Sequence, residues 1–317
     1  MNNGPAGLET RPSPFELDAG RDRNWLGATA VNSTDLDCRC LEMAQNGKVN
    51  YMTDVQMKRS QTPFIIWTMQ RTGGTNFTNN LISLSGLPAH HEPFNRPRIY
   101  GHLTKKWESD RDDDALATEV GKILEEPSVI KHCVEMVPWR ISATLAQEAN
   151  AKGYGALFLV RDPFQRMLSR EYAVRTKVWG PGREKPDEQA DPAFDKPLDV
   201  GALLKHEKMG IDRLNQFWRR LSGSRARRAS ISFEQLYEAA ASEAKDAVSD
   251  VFNRLSLSPP DSIEAVINKM RGGGDQGTND RYQRFVGIEE LADRVKELPS
   301  LVFSSASIQD ANITLEL

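Results

Sequence analysis

Long apolar runs are missing from this chain. None approaches the ~18 to 20 residues that a membrane-spanning helix needs, and the opening "MNNGPAGLETRPSPFELDAG" has neither the basic nor the apolar segment of a secretory leader. The expectation is a cytoplasmic protein with no stable membrane insertion. Cysteine is scarce as well: Cys38, Cys40 and Cys133 are too few and too oddly spaced for a disulfide framework. The "CRC" pair finds no second pair and no nearby histidine to complete a tetrahedral set, so no metal is expected. A basic excess is also lacking, since 41 Lys and Arg against 44 Asp and Glu leave a net charge of −3. A general nucleic-acid binder would carry the opposite balance to displace phosphate counterions, so no nucleic acid is expected as partner. Any cationic site must be local.

What remains is a chain of 317 residues, 39% hydrophobic and 27% charged, enough for one sizeable α/β core. Residues 1–60 are rich in Gly, Pro, Asn, Asp and Arg without a sustained period, which predicts an irregular N-terminal extension. The core is expected over residues 61–317. There "FIIWT", "SVIKHCV", "ALFLV" and "ASISF" read as strands separated by helical patterns, the signature of a mostly parallel sheet with helices on both faces. The expected fold is therefore α/β, a P-loop-like three-layer arrangement. The segment 179–200, "WGPGREKPDEQADPAFDKPLDV", has four prolines and many charges and reads as a surface loop or lid. "RGGGDQGTNDRY", from Arg271 to Tyr282, reads as a second break. Helices are expected from Asp199 to Leu221 and, on a stripe running from Leu236 through Ala244 and Val251 to Leu255, after "ISFEQL".

The first stretch that looks built for chemistry is "PFIIWTMQRTGGTNFTNNLISL", from Pro63. A strand enters a helix through a tight polar turn, which aims backbone N–H groups and the positive end of a helix dipole at one point. Gly73 and Gly74 allow close backbone approach, Thr72, Thr75 and Asn76 can donate or cap, and Arg71 adds a two-pronged donor for phosphate or sulfate oxygens. The lysine that a nucleotide triphosphatase loop requires is absent. "LFLVRDPFQRMLSREYAVRTKVW" repeats the device, with Arg161 ending a strand and Ser169 two turns into the following helix. Two such turns suit a ligand with two separated phosphate groups. The plainer alternative has Arg161 and Arg166 pairing with Asp162 and Glu171 on the surface.

These stretches resemble the sulfotransferase family, whose members use 3′-phosphoadenosine 5′-phosphosulfate (PAPS). "RTGGT" is similar to the family's 5′-phosphosulfate loop, and "VRDPFQRMLS" to its 3′-phosphate element. "REYAVRTKVW" and "ISFEQL" are similar to the bacterial carbohydrate branch that includes trehalose sulfotransferase. The resemblance spans about residues 62–290 and implies that Arg71, Thr72, Gly73, Gly74, Thr75 and Asn76 hold the 5′-phosphosulfate, while Arg161 and Ser169 hold the 3′-phosphate. "MRGGG" resembles the C-terminal nucleotide loop of some relatives but lacks its lysine, which implies a cofactor contact for Arg271, and Gly74 stands where Ser or Thr is common in the family. PAPS would be the co-substrate, PAP the product, and a small molecule or glycan the acceptor. Some relatives form dimers, so a homodimer stays open.

Sulfuryl transfer needs a base for the acceptor hydroxyl. "LPAHHEPFNRP" offers His90, His91 and Glu92 directly after the first helix. Its "EP" pair resembles the carbohydrate branch, which puts Glu92 first as base and His91 second. Lys131, leaving the strand "SVIK", either projects into the same cleft to stabilise transferred charge or ends a strand in solvent. Two other readings remain at this point, a P-loop kinase-like enzyme using magnesium-ATP and a non-catalytic nucleotide-binding module.

Overall fold

The computed structural model describes residues 62–179, 192–222, 227–260, 262–272 and 282–303, with residues 81–85 described by their backbone alone. All belong to one unit, Lys58–Leu317. The extension expected over 1–60, the "CRC" pair and most of the 179–200 segment lie outside the described residues.

In chain order the elements are β1 (Phe64–Thr68), α1 (Gly74–Ser85), β2 (Ala89–His91), α2 (Gly101–Asp110), α3 (Asp113–Ile123), β3 (Val129–Cys133), α4 (Trp139–Ala151) and β4 (Gly155–Val160). There follow α5 (Pro163–Thr176), α6 (Val200–Ser222), β5 (Arg228–Ser232), α7 (Phe233–Tyr237), α8 (Ala241–Leu255), α9 (Ile263–Gly272) and α10 (Ile288–Arg294). The five strands form one sheet in the order β2-β3-β1-β4-β5, and every pairing is parallel. The fold is α/β, three-layered and P-loop-like.

Right-handed crossovers fix which face each helix covers. The step from β1 out to edge strand β2 runs opposite to every later step, so α1 lies on one face and α2, α3, α4 and α6 on the other. Alternation within the strands matches. Ile65, Trp67, Ile130 and Phe158 pack with Leu103, Leu116, Val120, Ile141, Leu145 and Phe217, whereas Phe64, Ile66, Val129, Leu157 and Leu159 pack with Phe77, Leu236, Val248, Phe252 and Ile267. With both faces covered, β1 is buried at all five positions, which is why it reads as an unbroken apolar run.

The four expected strands are present within a residue or so of their expected ends. β2 was not foreseen, because three residues with two histidines at a sheet edge carry no apolar period. The stripe expected after "ISFEQL" is two helices, since a capping box starts α7 at once: Ser232 Oγ accepts from Gln235 N at 3.1 Å and Gln235 Oε1 accepts from Ser232 N at 2.9 Å. Of the segment 179–200, expected as a surface loop or lid, the end from 193 to 200 is anchored to the interior. Ala193, Phe194, Leu198 and Val200 are buried in a third apolar cluster with Leu168 and Tyr172 of α5 and with Tyr282 and Phe285. Tyr282, expected in a loop, is fully buried there, and Arg271 belongs to the last turn of α9. Among the described residues, no helix is long and apolar enough to cross a membrane.

The entry to α2 is set by close packing. A Cβ added at Gly101 would collide with the backbone carbonyls of Asn95 and Arg96, and Thr104 Oγ1 already donates to Phe94 O at 2.6 Å. Gly101→Ala is expected to lower stability by about 1–3 kcal/mol, the usual range for forcing an extra carbon into a closed site. Urea denaturation measures it, and an unchanged midpoint would show that the loop yields freely.

Candidate active site

Parallel strands bring their carboxyl ends to one edge, and all the sequence-selected residues but Asn76, Ser169, Arg271 and Lys131, which stands in the middle of β3, lie at or just beyond a strand end, in the turn or at the start of the helix that follows. After β1 the chain turns through Arg71 at φ 67 and Gly73 at φ 73, both left-handed, before α1 begins at Gly74. The first amides of α1 have no carbonyl partner inside the helix and point outward. Gly73 packs under α7: a Cβ there would meet Tyr237 and Phe233 at 2.9 and 3.0 Å. At Gly74 a Cβ would lie 3.0 Å from Lys131 Cε. A serine or threonine in that place would require the end of the lysine side chain to shift.

Thr72 is buried and works inside the turn, its hydroxyl donating to Met69 O at 2.9 Å and sharing a hydrogen bond with Thr68 Oγ1 at 2.6 Å. Asn76 Nδ2 donates to Met270 O at 2.6 Å, tying α1 to α9. Arg271 donates from Nε to Leu236 O at 2.8 Å and from Nη2 to Ala239 O at 2.7 Å, satisfying carbonyls at the end of α7. The donors of Asn76 and Arg271 described so far are thus spent on neighbouring backbone.

The two anion elements meet. Arg71 donates from Nε to Ser169 Oγ at 3.0 Å and from Nη1 to Trp179 O at 3.2 Å, while Arg161 Nη1 donates to Arg71 O at 3.2 Å. The Arg161 guanidinium stacks on Phe233 at 4.1 Å from the ring centre, and its Nε is buried without a hydrogen-bond partner. Burial lowers the pKa of both arginines, and the charge of Arg161 lowers that of Arg71 further. The surface alternative does not hold: Asp162 caps α5 through Gln165 N at 2.9 Å, Glu171 pairs with Arg175, and Arg166 is sealed in the interior.

Across the turn lies the base candidate. Glu92 follows β2 at φ 50 and forms an ion pair with Lys131, whose ammonium also reaches Thr75 Oγ1 at 3.3 Å. Lys131 points into the site, not to solvent, and supplies from β3 the ammonium that the turn itself lacks. Asn95 Nδ2 donates to Glu92 Oε2 at 2.7 Å, and the Cys133 thiol donates to Glu92 Oε1 at 3.3 Å. Burial pushes the Glu92 carboxyl up, but the charge and hydrogen bond of Lys131 outweigh it and hold the pKa below the ordinary value. Burial and Lys131 lower the pKa of His91, whose Nδ1 is enclosed without a hydrogen-bond partner. His90 turns to the other face, toward Tyr100.

Residues missed in the sequence are Asn95, Cys133, Phe233, Tyr237, Glu135 and Glu207. Only Glu207 left a trace, as an acid on the apolar stripe of Leu203, Leu204 and Ile211. Chemically, the site can hold an anion at the α1 N-terminus, donate charge to it from Arg71 and Lys131, and accept a proton at Glu92 or His91. The groups with the chemistry to take phosphate oxygens are the first amides of α1 and the guanidinium groups of Arg71 and Arg161. No cluster of three or more His, Cys, Asp or Glu placed to hold a metal occurs among the described residues.

No family model matches the chain, and no curated protein matches it in sequence. Among solved structures it is similar to the mouse sulfotransferase SULT7A1 complexed with PAP, at 10% identity and a TM-score of 0.37 over 67% of this chain and 63% of that one. This chain therefore spans less than two thirds of that structure. It is also similar to the PezAT chromosomal toxin-antitoxin system of Streptococcus pneumoniae, at 14% identity and a TM-score of 0.31 over 76% of this chain and 90% of that one.

Because the pKa of Glu92 is depressed in the folded protein, the stabilisation it brings is complete above the unfolded carboxylate value and is lost as pH falls through the depressed one. Lys131→Met removes the opposing charge and leaves burial to raise that pKa. The variant is expected to lose roughly 3 kcal/mol near neutral pH, with a smaller deficit at about pH 5 as the buried carboxyl takes up a proton. Urea denaturation at both pH values checks this, and an equal deficit at the two would refute it.

Proposed function

We propose that the chain transfers a sulfuryl group from PAPS to a hydroxyl of a carbohydrate or glycoconjugate. The observation that carries the reading is the placement of Lys131 between Glu92 and Thr75, which joins a proton acceptor to the anion-binding turn. A purely binding module has no use for an ionised carboxylate beside its anion site, where it weakens the attraction.

In this reading the α1 amides, Arg71 and Lys131 hold the oxygens of the 5′-phosphosulfate, and Arg161 and Ser169 hold the 3′-phosphate. PAPS supplies the activated sulfur and the leaving phosphate. Glu92, ionised at neutral pH, orients the acceptor hydroxyl and takes its proton; the new bond joins the hydroxyl oxygen to sulfur as the sulfur–oxygen bond to phosphate breaks. Lys131 and Arg71 stabilise the negative charge that passes to the phosphate oxygen. An anion that draws Lys131 toward itself weakens the ion pair and raises the proton affinity of Glu92 when the acceptor is in place. Neutral His91 is the second candidate for base. Departure of PAP and protonated Glu92 completes the balance, and the proton then passes to solvent.

The ammonium of Lys131 would serve a nucleoside triphosphate as well, so magnesium-ATP is the necessary control. Calorimetric titration without magnesium is expected to show PAP binding that falls roughly 10- to 100-fold in Arg161→Ala, in keeping with the loss of charge-assisted hydrogen bonds. Glu92→Gln is expected to keep PAP binding and lose roughly 10²- to 10⁴-fold in turnover on a hydroxylated acceptor panel. Wild-type protein that ignores PAP or prefers magnesium-ATP would overturn the reading.

A further inference from the structure

Gln70, the residue that enters the left-handed turn at Arg71, is gripped on both sides of its backbone. Its N–H donates to Glu135 Oε1 at 2.6 Å, and its carbonyl accepts from Arg166 Nη1 at 3.1 Å. Glu135 lies just past β3, and Arg166 lies in the first turn of α5. Arg166 is anchored in turn by Glu207 of α6, through Nε to Oε1 at 2.9 Å and an ion pair from Nη2 to the other oxygen. Arg166 Nη1 stands 3.9 Å from Glu135 Oε1, and the three side chains are at most 2% exposed.

One buried guanidinium between two carboxylates is a costly way to fill a core. Apolar side chains of similar bulk serve stability as well or better, so such a cluster is weak evidence for a stabilising role. What apolar groups cannot do is bond both backbone atoms of one peptide segment. Three elements, the β3 exit, α5 and α6, thereby fix the position of a single residue on β1's exit. Arg71 follows it directly, and the direction of the Arg71 guanidinium and of the α1 amides depends on how that residue sits.

We propose that Glu135, Arg166 and Glu207 form a clamp of positioning residues that sets the anion-binding turn, acting on the ligand only through the Gln70 backbone. The clamp rests on the proposed function for the identity of the anion alone. Its existence is a matter of backbone geometry.

The double variant Arg166→Met with Glu207→Leu removes the guanidinium and one carboxylate but leaves Glu135 buried without a countercharge, so its urea midpoint is expected to fall below that of wild type. Amide hydrogen exchange in the peptide from Trp67 to Phe77 is expected to be roughly 10-fold faster, and PAP binding roughly 10- to 100-fold weaker, the scale seen when groups that hold contact residues are removed. Glu135→Gln keeps an oxygen for the Gln70 N–H and is expected to behave like wild type, whereas Glu135→Ala is expected to loosen the turn. If the double variant fails to fold, the comparison of Glu135→Gln with Glu135→Ala decides. Unchanged exchange in the folded double variant or in folded Glu135→Ala overturns the clamp. Wild-type protein that does not bind PAP overturns the donor reading instead, and the exchange comparison still decides the clamp.

Discussion

The site depends on one constraint: β1 lies between β3 and β4, parallel to both, so three strand exits open side by side. Each exit delivers a different chemistry. β1 gives backbone amides and Arg71, β3 gives Lys131 and Glu135, and β4 gives Arg161 with Ser169 beyond it. Because parallel pairing fixes register, Ile66 stands opposite Lys131 on one side and Leu157 on the other. A slip of one residue would turn Lys131 to the far face and put an ammonium into the apolar layer of Trp67 and Phe217. The buried apolar alternation of the strands thus holds the charges in register.

Concentrating cations at one edge has an electrostatic cost, and two ionic groups meet it in different ways. Lys131 and Glu92 neutralise each other beside the turn, with side chains 6% and 16% exposed, at the place where the proposed reading puts the ligand. Arg166 is neutralised by Glu135 and Glu207 where nothing can reach, and burial lowers its pKa to about 10. Arg71 and Arg161 have mainly neutral oxygens among their described partners: Ser169 Oγ, the Trp179 carbonyl and the Arg71 carbonyl. The division separates charges that face a ligand from charges that shape the frame.

How much of this could be read in the sequence follows from range. β1, β3 and β4 were legible because strands buried on both faces are continuous apolar runs, and the two strand-turn-helix devices because their donors lie within a few residues of each other. β2 was not, for Ala89–His91 has no period to detect. The partnerships within the site span far longer separations, as in Lys131 with Glu92 and Arg166 with Glu207. No local pattern encodes such a pairing. Gly74 was legible only as a departure from Ser or Thr, whereas its neighbour in space is the end of a lysine more than fifty positions downstream. Asn76 and Arg271 were legible as donors, but the carbonyls that occupy them belong to α9 and α7, whose placement only the fold reveals.

An ammonium brought from β3 differs from one carried by the turn. A lysine inside the turn moves with the phosphate loop and answers to the ligand alone. Lys131 is anchored in the sheet and shared with Glu92, so its charge cannot serve the anion fully without releasing the carboxylate. In the proposed reading, anion binding and base strength are linked through a single group: an anion bound at Lys131 raises the proton affinity of Glu92 by the same free energy by which protonation of Glu92 strengthens anion binding. Asn95 and Cys133 keep Glu92 in place while that exchange occurs, because each bonds an oxygen without adding charge. The positive φ of Glu92 belongs to the same arrangement, since its N–H bonds the Lys131 carbonyl at 2.7 Å and so ties backbone to backbone beneath the paired side chains. Glu92 and Lys131 are thus joined twice, backbone to backbone and side chain to side chain.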